Sequence, residues 1–399
     1  MLIICTILQM KRLSLRHVFL IRNLSNLKAN NARNFSLCST KYSDDPPPPV
    51  TRSMFLSQFP ELTRLLARDE DTPDLHPLLA PHLATLLEAT VPGGKMNRGL
   101  SVPHTYSLLA ASRGASCTAR DLELASVLGW TVELLQAFFL VADDIMDGSV
   151  TRRGAPCWYR NTGVGLAAFN DSLILETCVY SVLRRYFRSE PCYLALLENM
   201  LQVTKFTTYG QSLDTMSANN FTLVRGQEGS LDSFTMDRYT AIVKYKTSFY
   251  SFYLPVSFAM NMSGYKDQRL YDKAKEILLD IGHYFQVTDD YLDCFGDPEV
   301  IGKIGTDIQD GKCSWLIVKA IEIASEDEKK TLAQHYGSQE PSDISIIKDL
   351  YQKLAIQQQF KDYESSFHAS VVSKIEHLGT DLPQEVFTMF LEKVYKRNK

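Results

Sequence analysis

Two Asp-Asp-x-x-Asp runs constrain this 399-residue chain more than anything else in it. Asp143-Asp144-Ile145-Met146-Asp147 closes the apolar stretch 133–142, and Asp289-Asp290-Tyr291-Leu292-Asp293 closes the apolar stretch 281–287. At 3.6 residues per turn, Asp143 and Asp147 share a helix face about one turn apart, with Asp144 about 100° round, and the second run repeats the spacing. Carboxylates this close repel one another, and a hard divalent cation is the natural remedy. A solvated helix end would account for one such cluster. Two of them, facing each other across a helical bundle, could hold Mg²⁺ ions that bridge to phosphate oxygens, because Mg²⁺ prefers a few carboxylates plus phosphate to an all-protein cage. A metal so placed draws charge from a leaving diphosphate as a Lewis acid. A di-iron carboxylate centre needs Glu-x-x-His pairs, and none sits near either cluster.

The rest of the chain supplies the bundle. Segments 122–146, 171–187 and 270–292 carry apolar residues at spacings of three and four over five or more turns, which predicts helices. Several are apolar nearly all round, as buried helices are. Segments 325–330 and 338–343 read as solvated connections. There is no glycine-rich phosphate loop after a strand, no tandem repeat and no long linker within 51–399, so one large all-α domain is expected there. A net charge of −4 argues against nucleic-acid binding by general positive charge. The eight cysteines lack any CxxC or metal-knuckle spacing and read as reduced thiols of an intracellular protein.

Residues 1–43 hold Lys11, Arg12, Arg16, Arg22, Lys28, Arg33 and Lys41 and no acid, the composition of a mitochondrial transit peptide; a tail with no address is the other reading. The apolar run 2–8 precedes its charges, unlike a secretory signal, and is too short to span a bilayer. Four prolines at 46–49 make a stiff spacer, so 1–50 is set apart from the folded domain. Initiation at Met54 would give a form without the leader.

Basic residues suit an anionic ligand. Arg152 and Arg153 follow the first acidic run, and arginine forks match phosphate oxygens. Gly93-Gly94-Lys95-Met96-Asn97-Arg98-Gly99 offers a flexible backbone and two cations without Walker spacing; as a lone motif it would be a plain turn. Lys244, Lys246, Lys303 and Lys312 flank the second acidic run, and together these cations imply two diphosphates.

At this point the sequence resembles the trans-prenyltransferases, the short-chain trans-isoprenyl diphosphate synthases, over about Met54 to Lys399. The likeness rests on Gly93 to Arg98, Glu133 to Gln136 running into Phe138-Phe139 and Asp143, Thr151 to Gly154, and Gly210-Gln211-Ser212-Leu213-Asp214. It continues through Lys244-Tyr245-Lys246-Thr247, Phe285-Gln286, Asp289 to Pro298, Gly302 to Asp307 and Lys312 to Trp315. It implies the isoprenoid synthase fold with a central cavity, a homodimer, and three Mg²⁺ ions bound with an allylic diphosphate. By that likeness Asp143, Asp144, Asp147, Asp289, Asp290 and Asp293 form the metal-binding runs. Arg152, Lys246, Lys303 and Lys312 would meet the allylic diphosphate. Gly94, Lys95, Arg98, Gln136, Arg153 and Arg397 would bind isopentenyl diphosphate. Lys246, Thr247 (through its carbonyl) and Gln286 would steady an allylic cation. The implied reaction is head-to-tail condensation of isopentenyl diphosphate with dimethylallyl or geranyl diphosphate to give farnesyl, and also geranyl, diphosphate. The rivals are a terpene synthase acting on one prenyl diphosphate and an inactive regulatory subunit.

Phe139 lies four residues before Asp143, so its ring projects about 5.4 Å below the metals, with Phe138 beside it. The two rings suit a floor that stops a chain at fifteen carbons; ordinary core aromatics are the alternative. The sequence departs from the family at Thr288 (usually Gln), Asn398 (often Arg), Gly311 (Asn), and Pro103-His104 in an otherwise smooth helix. Thr288 is expected to loosen the second metal cluster.

Overall fold

The computed structural model describes residues 49–68, 74, 76–301 and 305–395. The proposed leader 1–43, most of the proline spacer, Lys303, Arg397 and Asn398 lie outside them.

The described chain is an all-α bundle. Its helices are α1 (Arg52–Ser57), α2 (Phe59–Leu66), α3 (Leu79–Thr90), α4 (Asn97–Ser112), α5 (Ala119–Met146), α6 (Ala168–Phe187), α7 (Tyr193–Val224) and α8 (Met236–Val243). A π-helical stretch, Lys244–Tyr253, leads into α9 (Leu254–Met262) and α10 (Gln268–Phe295). Then come α11 (Pro298–Ile301), α12 (Trp315–Ile323), α13 (Glu326–His335), α14 (Pro341–Lys353), α15 (Ile356–Glu376) and α16 (Gln384–Val394). The strands are a minimal hairpin, β1 (Thr151–Arg152) and β2 (Ala155–Pro156), with Thr151 opposite Pro156.

The three long helices expected from periodicity appear as α5, α6 and α10. A capping box between Thr118 and Asp121 starts α5. The expected connection at 325–330 is instead the first turn of α13. Ser325 and Glu328 form a second capping box and three acids favour the positive helix N-terminus, so polarity there marks a helix start. Likewise 341–343 belong to α14, with Pro341 at its first position, where a missing N–H costs nothing.

Three apolar cores fill the bundle. The first joins α1 to α6 and part of α7, the second the end of α7 with α8 and α12 to α15, and the third α9, most of α10, α15 and α16. Along α7, Val203 belongs to the first core and Phe221 to the second; along α10, Tyr284 belongs to the third and Val287 to the second. Polar residues occupy the stretches between, and the site forms there.

Glycines permit the closest crossings. A Cβ on Gly129 would lie 2.3 Å from the carbonyl oxygen of Gly99, where α4 meets α5. Pro103, four residues after Gly99, has no N–H to bond that carbonyl, so the departure at Pro103 falls where α4 is already committed to this crossing. His104 beside it takes part in holding the chain's entry, its Nε2 lying 2.7 Å from the Val50 carbonyl oxygen. Arg52 donates to the Gly94 carbonyl at 3.0 Å, and the Phe55 ring stacks 4.3 Å from Trp130. The described cysteines 117, 157, 178, 192, 294 and 313 are free thiols.

By length and composition α5 and the segment Gly165–Phe187 are apolar enough to cross a bilayer. The apolar window of α5 is 78% buried in the core, and that of Gly165–Phe187 is 44% buried.

Candidate active site

The last turn of α5 presents the first acidic run as helix geometry requires. Asp143 and Asp147 are half-buried, whereas Asp144, turned to the packed side, is 3% exposed. Asp144 accepts from Arg152, whose Nε lies 3.1 Å away, and Arg152 also reaches within 3.6 Å of Asp143. Asp143 accepts from Gln211 at 2.9 Å and from Lys246 at 3.3 Å. Asp147 accepts from Lys312 at 3.0 Å.

Asp214 on α7 gathers the two lysines. Its Oδ2 takes Lys246 at 2.7 Å and Lys312 at 3.2 Å. Burial would raise the Asp214 carboxyl, but the two ammoniums outweigh it and hold it at about 2. Burial would lower Lys246, yet Asp214 and Asp143 lift it above the usual lysine range. Asp147 is raised by burial and by Asp143 beside it. The crossing that permits this is tight: a Cβ on Gly210 would meet the Lys246 backbone nitrogen at 2.1 Å. Gly210 therefore lets α7 touch the π-helical stretch one turn before Asp214.

On α10 the second run divides similarly. Asp290 is 5% exposed and spends both oxygens on the protein, accepting from Gln286 at 2.9 Å and from the Trp315 N–H at 2.8 Å. Burial nevertheless pushes it up to about 7. Asp289 is half-buried, and Asp293 accepts the Asp307 N–H at 3.0 Å. Thr288 is buried and donates back to the Tyr284 carbonyl at 3.0 Å, so its shortness bears on the packed side of α10. Thr247 donates to Gln286 at 2.9 Å, which continues the chain of bonds to Asp290. The two acidic runs thus border one region. Lys246-Thr247 links Asp143 to Gln286, and the segment from Lys312 to Trp315 links Asp147 to Asp290.

A second basic group lies beside it. Arg153 and Gly154 form the two-residue turn of the hairpin with φ of +55° and +78°, a left-handed pair that costs an arginine backbone strain. The Arg153 guanidinium lies along Gly93 and donates weakly to the Thr90, Val91 and Pro92 carbonyls at 3.5, 3.4 and 3.3 Å. Gly94 and Met96 are also left-handed, giving the sharp loop that exposes Lys95. Arg98 donates to Ser251 at 2.8 Å and lies over the Tyr250 and Phe285 rings at 5.0 and 5.8 Å. Gln136 is half-buried on α5, one turn beyond Glu133, which accepts the Gly99 N–H at 2.7 Å. Phe138 and Phe139 are half-buried with ring centroids 4.5 Å apart, and Phe139 lies 6.1 Å from Tyr250.

No group of three or more His, Cys, Asp or Glu among the described residues forms a ready metal cage. The half-buried donors Asp143, Asp147, Asp289 and Asp293 are all carboxylates, and Asp143 and Asp147 are paired with Lys246 and Lys312. That set suits Mg²⁺, which takes one or two carboxylates and completes its shell with water and phosphate. Gln211 and Asp214 are site residues that the acidic runs did not signal. They are three apart on one face of α7, and that polar pair in the Gly210 to Asp214 block was the available cue.

Two acidic runs tied together through Lys246-Thr247 and the 312–315 segment, with two cationic groups beside them, form the arrangement that a protein handling diphosphates needs. The polyprenyl synthetase family model matches residues 80–354, and the chain belongs to that family. The farnesyl diphosphate synthase of Dictyostelium discoideum is 44% identical over 351 residues, 86% of this chain and 89% of that protein. The farnesyl pyrophosphate synthase of Homo sapiens is 43% identical over 378 residues, 94% of this chain and 85% of that protein. Among solved structures, T. brucei farnesyl diphosphate synthase complexed with risedronate matches with a TM-score of 0.78 and 34% identity, covering 87% of this chain and 99% of that one.

Proposed function

We propose that the protein is a prenyltransferase that joins isopentenyl diphosphate head to tail with dimethylallyl and then geranyl diphosphate, giving farnesyl diphosphate. The observation that carries this is the presence of two cationic groups, one woven into the acidic runs (Arg152, Lys246, Lys312) and one beyond them (Lys95, Arg98, Arg153). A single-substrate terpene synthase has no need of the second.

Asp143, Asp147, Asp289 and Asp293 would hold Mg²⁺; Asp144 and Asp290 act behind them, fixing Arg152 and Gln286. When bound there, Mg²⁺ supplies Lewis acidity that eases loss of the allylic diphosphate. The chain's own groups do the rest. Arg152, Lys246 and Lys312 bind and orient that diphosphate, with Lys303 expected to join them. The carbon–oxygen bond breaks with its electron pair leaving on the diphosphate. The backbone carbonyls of Lys246 and Thr247 and the Gln286 side chain, aligned by the bond to Asp290, present fixed dipoles to the allylic cation in a dry cavity. Lys95, Arg98, Gln136 and Arg153, with Arg397 from the tail, hold isopentenyl diphosphate so that its double bond attacks. The proton released as the new double bond forms passes to the departed diphosphate, so no protein nucleophile is required.

Incubating the purified protein with Mg²⁺, isopentenyl diphosphate and either dimethylallyl or geranyl diphosphate tests this, with farnesyl diphosphate as the expected product. Hydrocarbon or alcohol released from geranyl or farnesyl diphosphate alone, without chain extension, would overturn it in favour of a terpene synthase. No turnover with either allylic substrate would favour a silent subunit.

A homodimer is part of the proposal. On α7, Leu194, Leu201, Tyr209, Met216 and Leu223 are exposed at intervals of seven or eight residues, and Phe169 and Leu173 are exposed on the neighbouring α6. Such a stripe wants a partner helix surface. We also assign residues 1–43 as a mitochondrial matrix leader; import of a reporter fused to residues 1–50 tests it, and a cytosolic reporter would refute it.

A further inference from the structure

The structure assigns to Asp171 a positioning role in isopentenyl diphosphate binding, as the clamp that joins α3 to the arginine hairpin; the inference rests on the second cationic group being that substrate's site. Asp171 sits in the first turn of α6, outside every motif named above, and is 3% exposed. A buried carboxylate must be paired, and both of its oxygens are. Oδ1 lies 2.7 Å from His82 Nε2 on the first turn of α3, and Oδ2 accepts the Trp158 indole N–H at 2.8 Å. Trp158 opens the 3-10 turn Trp158–Arg160 that follows the hairpin carrying Arg152 and Arg153.

The hairpin segment is tied to α3 a second time at the far end of that helix, where Arg153 reaches the Thr90, Val91 and Pro92 carbonyls directly rather than through Asp171. His82 and Thr90 are separated by about 12 Å of helix. One tie would leave hairpin and helix free to pivot, whereas two at that separation fix their mutual orientation. Beyond Thr90 the chain passes directly into Gly93, Gly94 and Lys95, so the clamp sets where Arg153 stands relative to Lys95. The Arg153 contacts are long and weak and cannot do this alone. Arg152 is insulated, since Asp144 on α5 holds it separately.

The clamp works by geometry rather than charge. In Asp171→Asn the amide oxygen still accepts the indole N–H, and the amide N–H can donate to His82 Nε2 once that ring changes tautomer. Asp171→Ala breaks both ties. Trp158→Phe keeps the ring and removes one donor; His82→Ala removes the other from a ring that is 42% exposed and little needed for packing. Steady-state kinetics should show KM for isopentenyl diphosphate rising about five- to tenfold in each of these three variants, as expected for loss of one coupled contact. KM for geranyl diphosphate and kcat should stay within about twofold, and Asp171→Asn should behave as wild type. Adding Trp158→Phe to Asp171→Ala should raise KM no further, because the two share one bond.

A merely structural Asp171 would lower the melting temperature without separating the two KM values. The clamp is overturned if folded Trp158→Phe and His82→Ala keep the wild-type KM for isopentenyl diphosphate, or if both substrates' KM values rise together. Arg153→Ala separates the layers. If it raises KM for isopentenyl diphosphate while the clamp variants do not, the clamp alone falls; if it leaves that KM unchanged, the site assignment falls and takes the clamp with it.

Discussion

Asp214 is the residue on which Lys246 and Lys312 converge, and its chemistry sets the clearest expectations. Asp214→Asn removes the charge that holds Lys246 and Lys312 and should lower kcat/KM about a hundredfold, comparable to losing one preorganised electrostatic group. It should also change acid stability. The folded carboxyl is held at about 2, below its unfolded value of about 3.9, so its contribution is fully present above about pH 4 and fades as pH falls through about 2. In magnesium-free protein, chemical denaturation should show wild type more stable than Asp214→Asn by about 2 kcal/mol near neutrality, with the gap closing towards about pH 2. Phe138→Ala and Phe139→Ala are each expected to give products longer than fifteen carbons when lipid extracts are separated by chain length; an unchanged profile in both would remove the floor from this cavity. At this scale the sequence announced the acids and most cations by type and spacing. It could not divide the acids into those left half-exposed and those spent inside the protein. That division depends on partners from elsewhere in the chain, the Trp315 N–H for Asp290 and the hairpin arginine for Asp144.

Among the elements, the π-helical stretch Lys244–Tyr253 and its crossing with α7 carry most of the site. Gly210→Ala would drive a methyl group into the Lys246 backbone. It should cost about 3 kcal/mol of stability by overpacking, and leave activity below that of wild type even where the protein is folded, because Lys246 and Thr247 would both be displaced. A thermal melt and an assay at reduced temperature separate the two effects. The long helices were legible because a 3.6-residue apolar period over many turns has few competing readings. The π turns were not, since local periodicity says little about one extra residue per turn. The starts of α13 and α14 were masked by their polarity, although Ser325-x-x-Glu328 and Pro341 are helix-opening signals once read as such. Gly311 is a substitution with a simple basis: its φ of +62° is the left-handed conformation that asparagine and glycine both tolerate.

For the whole molecule, the apolar stripe on α7 predicts a dimer. Leu201→Glu together with Met216→Glu should convert a dimer into a monomer in sedimentation velocity experiments, while a monomeric wild type would dispose of the idea. The all-helical architecture was expected from pattern alone, and the family from its motifs; how three cores share α7 and α10 was not, because packing partners leave no local trace. Two contacts at the chain's entry reach further than their size suggests. Val50 and Arg52 fasten the front of the domain to α4 and to the loop that presents Lys95. Translation begun at Met54 would discard both fasteners along with the proposed leader. The long and short versions of this polypeptide would then differ in their hunger for the five-carbon building block.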